Sequence, residues 1–227
     1  MYTKYSIFIP LERTLMQIEQ EDLSSGVYKR LKDMILRNEL LPGQQLKQEH
    51  LAVMFGISRM PLHKAFQMLE DEMLVERRPR KGFFVTVIDE RRLYDAFEVR
   101  AAVEGVAARR AAGEMEAADI RFLRSLFQPF VEQEDIDIRE YAKADQAFHD
   151  HILKLCGNQV LSRLEIISNI TQQTYRGGLI RKPEETLPEH LAIIDALEAG
   201  DGKLAEKLAR AHSQKTCKLL KKQIEQQ

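Results

Sequence analysis

The sequence predicts a mainly α protein in two parts. A small N-terminal unit of three helices and a β-hairpin comes first, then an antiparallel all-α bundle of about six helices. Three observations predict it. Apolar residues recur at helical spacing over most of the chain after residue 24. One strand–turn–strand pattern interrupts them, between Met73 and Ile88. No strand pattern appears after Asp89.

The elements follow in order. Residues 1–23 match no motif and are set apart as an N-terminal arm, with a short helix at Leu11–Glu21 as the one candidate element. From Ser24 to Asn38, Val27, Leu31, Met34 and Ile35 lie on one helical face, and Ser24 or Ser25 is expected as N-cap. Leu41-Pro42-Gly43 ends that helix in a turn. A second helix is expected over 47–55. A third is expected from Ser58, its N-cap, to Asp71, with Pro61 tolerated in the first turn. Met73–Arg77 and Phe83–Ile88 read as strands around the basic turn Arg78-Pro79-Arg80-Lys81-Gly82. The bundle helices are expected at 89–112, 116–133, 137–156, 158–176, 186–199 and 201–222, divided by glycine- or aspartate-bearing breaks.

Composition narrows the function classes. The chain has 227 residues, 44% hydrophobic and 30% charged, as expected of a soluble globular protein of one or two domains. No apolar run is long enough to span a bilayer, and residues 1–11 lack the long apolar core of a secretory signal, so a cytoplasmic location is expected. Cys156 and Cys217 sit in apolar helical patterns and read as small buried hydrophobes. The net charge of −1 is unevenly spread. Residues 24–88 hold 11 lysines and arginines against 7 acids, or +4; the rest holds 23 against 28, or −5. Only the first part is suited to phosphates.

Three helices and a hairpin in this order make a winged helix–turn–helix, expected over 24–88. Leu51 and Ala52 supply the packing where two helices cross, Gly56 the turn, Ile57 the plug, and Leu62, Ala65, Phe66 and Leu69 the anchors of the second helix. That helix then exposes Arg59, Met60, His63, Lys64 and Gln67, the face that enters a major groove. Arg59 is the candidate for a bidentate contact to guanine. Lys64, Lys47, Arg80 and Lys81 are candidates for phosphate, as are Tyr28 and Lys29, and Gly82 lets the wing backbone approach closely.

In the bundle, expected over 89–222, four polar groups stand where the pattern calls for apolar ones. Asp145 and His149 share a face with Ala142, Phe148 and Ile152; His190 lines up with Leu187, Ile193, Ile194 and Leu197; His212 follows Ala205 and Leu208. Each is either a core polar residue with its own partner or, if the four converge, a ligand of one divalent cation. Three nitrogens and one oxygen suit zinc, nickel, manganese or iron, and the ligand set alone does not choose among them. His50 and His151 fall off these faces and read as surface residues. Arg100 interrupts an apolar face formed by Leu93, Phe97, Ala107 and Ala111, and needs an anion, which Glu104 one turn on can supply.

Residues 24–88 resemble the DNA-binding domain of the GntR family in Leu41-Pro42-Gly43, Leu51-Ala52, Gly56-Ile57-Ser58-Arg59, Pro61-Leu62, Ala65-Phe66, Leu69 and Lys81-Gly82-Phe83-Phe84-Val85. The family has an arginine where this chain has His63, so the operator sequence does not carry over. Residues 89–220 resemble the FadR-type C-terminal, or FCD, domain in Asp145-Gln146-Ala147-Phe148-His149, Cys156-Gly157-Asn158, Glu189-His190 with Ile193, Asp201 and Ala211-His212. The resemblance implies a transcriptional regulator, not an enzyme. It implies a homodimer on a near-palindromic duplex DNA operator, usually repressing. It also implies a metal held by Asp145, His149, His190 and His212, and a small organic acid whose carboxylate meets the metal and Arg100, beside Glu104. Ser168, Thr171, Gln172 and Tyr175 are further candidates for that pocket. Two other readings compete: a direct metal sensor without organic effector, and a metal-dependent hydrolase joined to a DNA-binding module.

Overall fold

The computed structural model describes residues 21–133, 135–161 and 179–226. The N-terminal arm before Glu21, the helix expected at 158–176, and Ser168, Thr171, Gln172 and Tyr175 all fall wholly or largely outside these residues.

Helix α1 (Glu21–Leu36) lies across α3 (Arg59–Asp71), which is joined to α2 (Gln48–Phe55) by the turn at Gly56. Strands β2 (Val75–Arg78) and β3 (Gly82–Val85) form the hairpin. A strand the sequence did not announce, β1 (Gln45–Leu46), pairs with the far side of β3, giving an antiparallel sheet of order β1-β3-β2. In register, Leu46 faces Phe83 and Val75 faces Val85. A two-residue strand is too short to show alternation, so its pairing is decided by β3 rather than by its own pattern.

In this N-terminal unit the expected boundaries and caps differ in three places. Helix α1 is already helical at Glu21, so Ser24 and Ser25 are interior residues and not N-caps, and Ser24 is buried. Ser58 does occupy the N-cap of α3 with extended backbone, but its side chain makes no capping hydrogen bond. The hairpin strands are shifted to 75–78 and 82–85: the amides of Met73 and Leu74 still donate back to the Glu70 and Leu69 carbonyls of α3, so the first strand begins at Val75, and one bond from Thr86 N–H to the Leu74 carbonyl lies just beyond the ladder. Around this frame Leu31, Leu62, Phe66, Leu69, Leu74 and Val85 are fully buried and form one apolar core over residues 27–85.

The described part of the bundle has five α-helices: α4 (Glu90–Ala111), α5 (Ala117–Phe127), α6 (Ile138–Leu155), α7 (Pro183–Glu198) and α8 (Gly202–Glu225). Helix α5 ends earlier than its apolar pattern, in a 3₁₀ turn over Gln128–Phe130, since Pro129 supplies no N–H to continue the ladder. Helix α7 starts earlier than expected, because Pro183 serves as a first-turn residue. Asp89, Asp137 and Asp201 cap α4, α6 and α8 by accepting backbone N–H bonds. The long pair α4 and α8 makes the most extensive contact, and Phe127, Tyr141, Phe148, Ile193 and Ile194 fill the interior. No helix among the described residues is long and apolar enough to cross a membrane.

Candidate nucleic-acid interface and metal centre

The turn between α2 and α3 explains which side chains face outward. Gly56 has φ +64°, a left-handed conformation that other residues adopt at a cost, and its amide closes the end of α2 onto Ala52 and Val53 carbonyls. Leu62, Ala65, Phe66 and Leu69 then face the core, and Arg59, Met60, Lys64 and Gln67 face solvent. His63 is half-buried, its ring edge-on to Phe83 of β3 with centroids 5.7 Å apart. Lys47, at the N-cap of α2, is exposed, as are Arg80, Lys81 and Gly82 at the wing tip. Gly82 (φ +88°) has open space beside it, which a backbone approaching phosphate requires. The Gln45 side chain donates to the Lys81 carbonyl at 2.7 Å and ties the wing to β1. Tyr28 is not a loose surface group: its hydroxyl donates to Glu72, and burial with that bond pushes its pKa up to about 12.

Within the bundle, Asp145 and His149 of α6, His190 of α7 and His212 of α8 each offer one ligand atom, and these atoms all lie within 4.8 Å of one another. Each imidazole is held from behind. His149 Nδ1 donates to Glu104 of α4 (2.7 Å), and His212 Nδ1 donates to Glu189 (2.8 Å). His190 Nδ1 meets the Tyr141 hydroxyl at 3.1 Å, which also contacts Thr186. An ionised carboxylate only accepts, so His149 and His212 carry their proton on Nδ1 and turn the Nε2 lone pair inward. His190 Nε2 lies 3.2 Å from Asp145 Oδ1 but without hydrogen-bond angles, and His149 Nε2 is 3.9 Å from Oδ2. Among the described residues both buried nitrogens have no hydrogen-bond partner. Unsatisfied lone pairs aimed at one point beside a buried carboxylate are what a divalent cation satisfies, so the residues fit a metal.

The electrostatics agree. Burial pushes the His190 pKa down to about 3, and it lowers that of His212 also. Burial pushes the Asp145 carboxyl up, but His190 and His149 more than offset it and hold it well below the usual range. Arg100 and His149 do the same for Glu104, and Arg181 and His212 for Glu189. A neutral imidazole and an ionised carboxylate are the forms that ligate metal. Unfolded, His190 takes a proton below about pH 6.5; folded, it refuses one until far lower. Its stabilisation is therefore present above about pH 6.5 and lost as pH falls towards 3. The metal-stripped protein is expected to show a falling melting temperature from pH 6.5 to pH 5. A flat profile over that interval would mean His190 is not held neutral.

Arg100 is buried and its Nε donates to Glu104 at 2.6 Å, so the internal pairing is formed. Glu104 is a junction, also accepting from Ser213 of α8 at 2.5 Å and from His149. A cavity of about 30 Å³ is lined by Arg100 together with Asp145, His212, Thr186 and Thr216, and by a second arginine that sequence reasoning missed, Arg181. Arg181 is buried, grips Glu189 with both Nη1 and Nη2 (2.8 and 2.7 Å), and reaches Glu185 at 3.2 Å. It thereby fixes the carboxylate that orients His212. It gave little signal in the sequence, since it stands outside the helix, in the loop just before Pro183. Tyr141 and Thr186 gave no comparable signal, being ordinary core residues in the pattern. His50 is exposed, whereas His151 is half-buried, bonded to Asp119 at 3.0 Å and packed on Phe122.

Comparison with known proteins bears on both regions. Residues 23–85 match the family model of bacterial regulatory proteins, gntR family, and residues 95–215 match the FCD domain. An HTH-type transcriptional regulator in an unstable DNA locus of Streptomyces ambofaciens is 32% identical over 82% of this chain and 80% of its own length. The HTH-type transcriptional repressor RspR of Escherichia coli K12 is 26% identical over 86% of this chain and 87% of its own. The crystal structure of a GntR regulator from Rhodococcus sp. RHA1 superposes with a TM-score of 0.69 at 20% identity, over 87% of this chain and 96% of that one, a likeness of fold.

Proposed function

Because this chain belongs to the gntR family of bacterial regulatory proteins and carries an FCD domain, and is therefore a DNA-binding transcriptional regulator and not an enzyme, we propose that a small organic acid bound beside a metal in the bundle sets its affinity for its operator. The observation that carries the reading is the convergence of Asp145, His149, His190 and His212 next to a cavity that Arg100 lines. A divalent cation there, zinc first among those that three nitrogens and an oxygen suit, supplies a Lewis-acidic point for a carboxylate oxygen. Arg100 orients the same carboxylate, and Glu104, bonded to Arg100, partly neutralises the guanidinium. At about 30 Å³ the cavity has room for a water, so an organic acid enters as the surrounding side chains move apart.

The route to DNA starts on the same helix. Arg100 and Glu104 sit in the middle of α4, and at its N-terminal end Arg92 reaches the Val87 carbonyl (3.1 Å) and Glu76 of β2 (3.4 Å). A shift of α4 therefore acts on the wing. The DNA-binding domain is taken as residues 24–88 and the effector domain as 89–222. In a cytoplasmic homodimer two α3 helices would sit about one DNA turn apart on a near-palindromic site. Arg59 would read a guanine, His63 a neighbouring base edge, and Lys47, Lys64, Arg80, Lys81 and the Gly82 backbone would meet phosphates. Effector binding changes operator affinity by the difference in its affinity for the two arrangements. The repressor name of the E. coli relative supports repression as the sense.

The test is to titrate operator binding with metal alone and with metal plus small carboxylates. Response to metal alone would favour a direct metal sensor. Arg100→Ala should keep the metal yet weaken the carboxylate response about tenfold or more, the loss of one charge-assisted contact. An unaltered response would remove Arg100 from the pocket.

A further inference from the structure

Glu49 stands on the DNA-facing side of the helix–turn–helix, where a carboxylate is out of place. It lies in the first turn of α2, and across the Gly56 turn its Oε1 accepts a hydrogen bond from Arg59 Nη2 at 2.8 Å. Both side chains are largely exposed, 79% and 68%. An exposed ion pair contributes little to stability, and holding two long side chains together costs them freedom, so fold stability does not account for the contact. The first turn of α3 has no acidic residue of its own. Glu49 therefore brings negative charge from the neighbouring helix to the end of α3 that enters the groove.

We propose that Glu49 is a specificity-determining positioning residue, which holds the Arg59 guanidinium in one orientation for a guanine edge and makes every other mode of DNA binding weaker. The inference rests on the reading of Arg59 as a base-contacting residue. Two physical effects support it. A guanidinium has five N–H donors in a rigid plane, so engaging one Nη2 hydrogen with Glu49 sets the plane while leaving neighbouring donors for the guanine O6 and N7. The carboxylate also repels phosphates, which lowers affinity for any duplex. Only a site that presents guanine to the oriented guanidinium recovers that loss. Without Glu49, Arg59 becomes a mobile cation able to settle on phosphate, which carries no sequence information.

The full-length protein and its E49A, E49Q and R59A variants would each select sites from a duplex library with randomised positions. Affinities would then be measured by fluorescence anisotropy for the wild-type-selected duplex and a scrambled duplex of equal composition. E49A is expected to bind the scrambled duplex more tightly. Its selectivity should fall about tenfold, within the range a bidentate arginine–guanine contact contributes. The base preference that R59A abolishes should be blurred in E49A. E49Q keeps an oxygen acceptor for Arg59 without the charge, so it should tighten scrambled binding yet hold most of the base preference. Wild-type selectivity in E49A, with R59A altered, overturns the role of Glu49. Wild-type preferences in R59A as well would instead show that Arg59 reads no base, and the proposal would fall with that reading.

Discussion

Replacing His149 and His190 with alanine together is expected to abolish stoichiometric divalent metal binding and to erase the thermal stabilisation that metal gives. Both Nε2 atoms are buried without a hydrogen-bond partner, so they have no other evident use. A ligand present at about a hundredfold over its Kd stabilises the folded state by about 2.7 kcal/mol. For a chain of this size each kcal/mol is worth roughly 2–4 °C, so metal should raise the wild-type melting temperature by about 5–10 °C. The double variant should show no such rise. It should also be less stable in the absence of metal, because His190 stacks on Phe127 with centroids 4.6 Å apart and that contact goes with it. The diagnostic is therefore the difference between chelated and metal-loaded samples of each protein. A double variant that still holds one equivalent of metal by mass spectrometry would place the metal elsewhere.

Arg59→Ala is expected to cost about tenfold to a hundredfold in affinity per half-site for the selected operator, with an unchanged far-ultraviolet spectrum and melting temperature. The residue is the first of α3, is exposed, and its described polar contact is the pair with Glu49. One bidentate base contact is worth about 1–3 kcal/mol of discrimination, and a two-fold complex loses it twice. Lys64→Ala and Lys81→Ala should behave differently. Each would remove a cation proposed to meet phosphate, so binding should weaken on all sequences alike and the salt dependence should decrease by about one charge. If Arg59→Ala weakened selected and scrambled duplexes equally, Arg59 would be a phosphate contact and base readout would pass to His63 and Gln67.

How much of this was legible beforehand depends on where the determining information sits. Helix faces were readable because burial imposes a 3.6-residue period, so Leu62, Ala65, Phe66 and Leu69 could be separated from Arg59 and Lys64 by position alone. The four candidate metal ligands were readable as polar residues on apolar faces of three helices. The N-cap of α1 was misplaced because serine is common at caps but tolerated inside a helix once tertiary packing covers it, as it covers Ser24. Strand β1 was invisible because two residues have no period. Arg181 was overlooked because a charged residue beside Lys182 and Pro183 reads as solvated loop until Glu189 is folded over it.

Local sequence by itself determined the element types, the outward faces of the reading helix and the wing, and which residues were chemically able to ligate a metal. Those are consequences of side-chain type and backbone period over a few turns. Tertiary structure alone decided that ligand atoms from α6, α7 and α8 lie within 4.8 Å, that Glu104, Glu189 and Tyr141 stand behind the three imidazoles, and that Glu49 reaches Arg59 across the turn. Such meetings depend on how helices pack. A difference of one residue in packing register rotates a side chain by about 100° around its helix, and no local pattern carries that information.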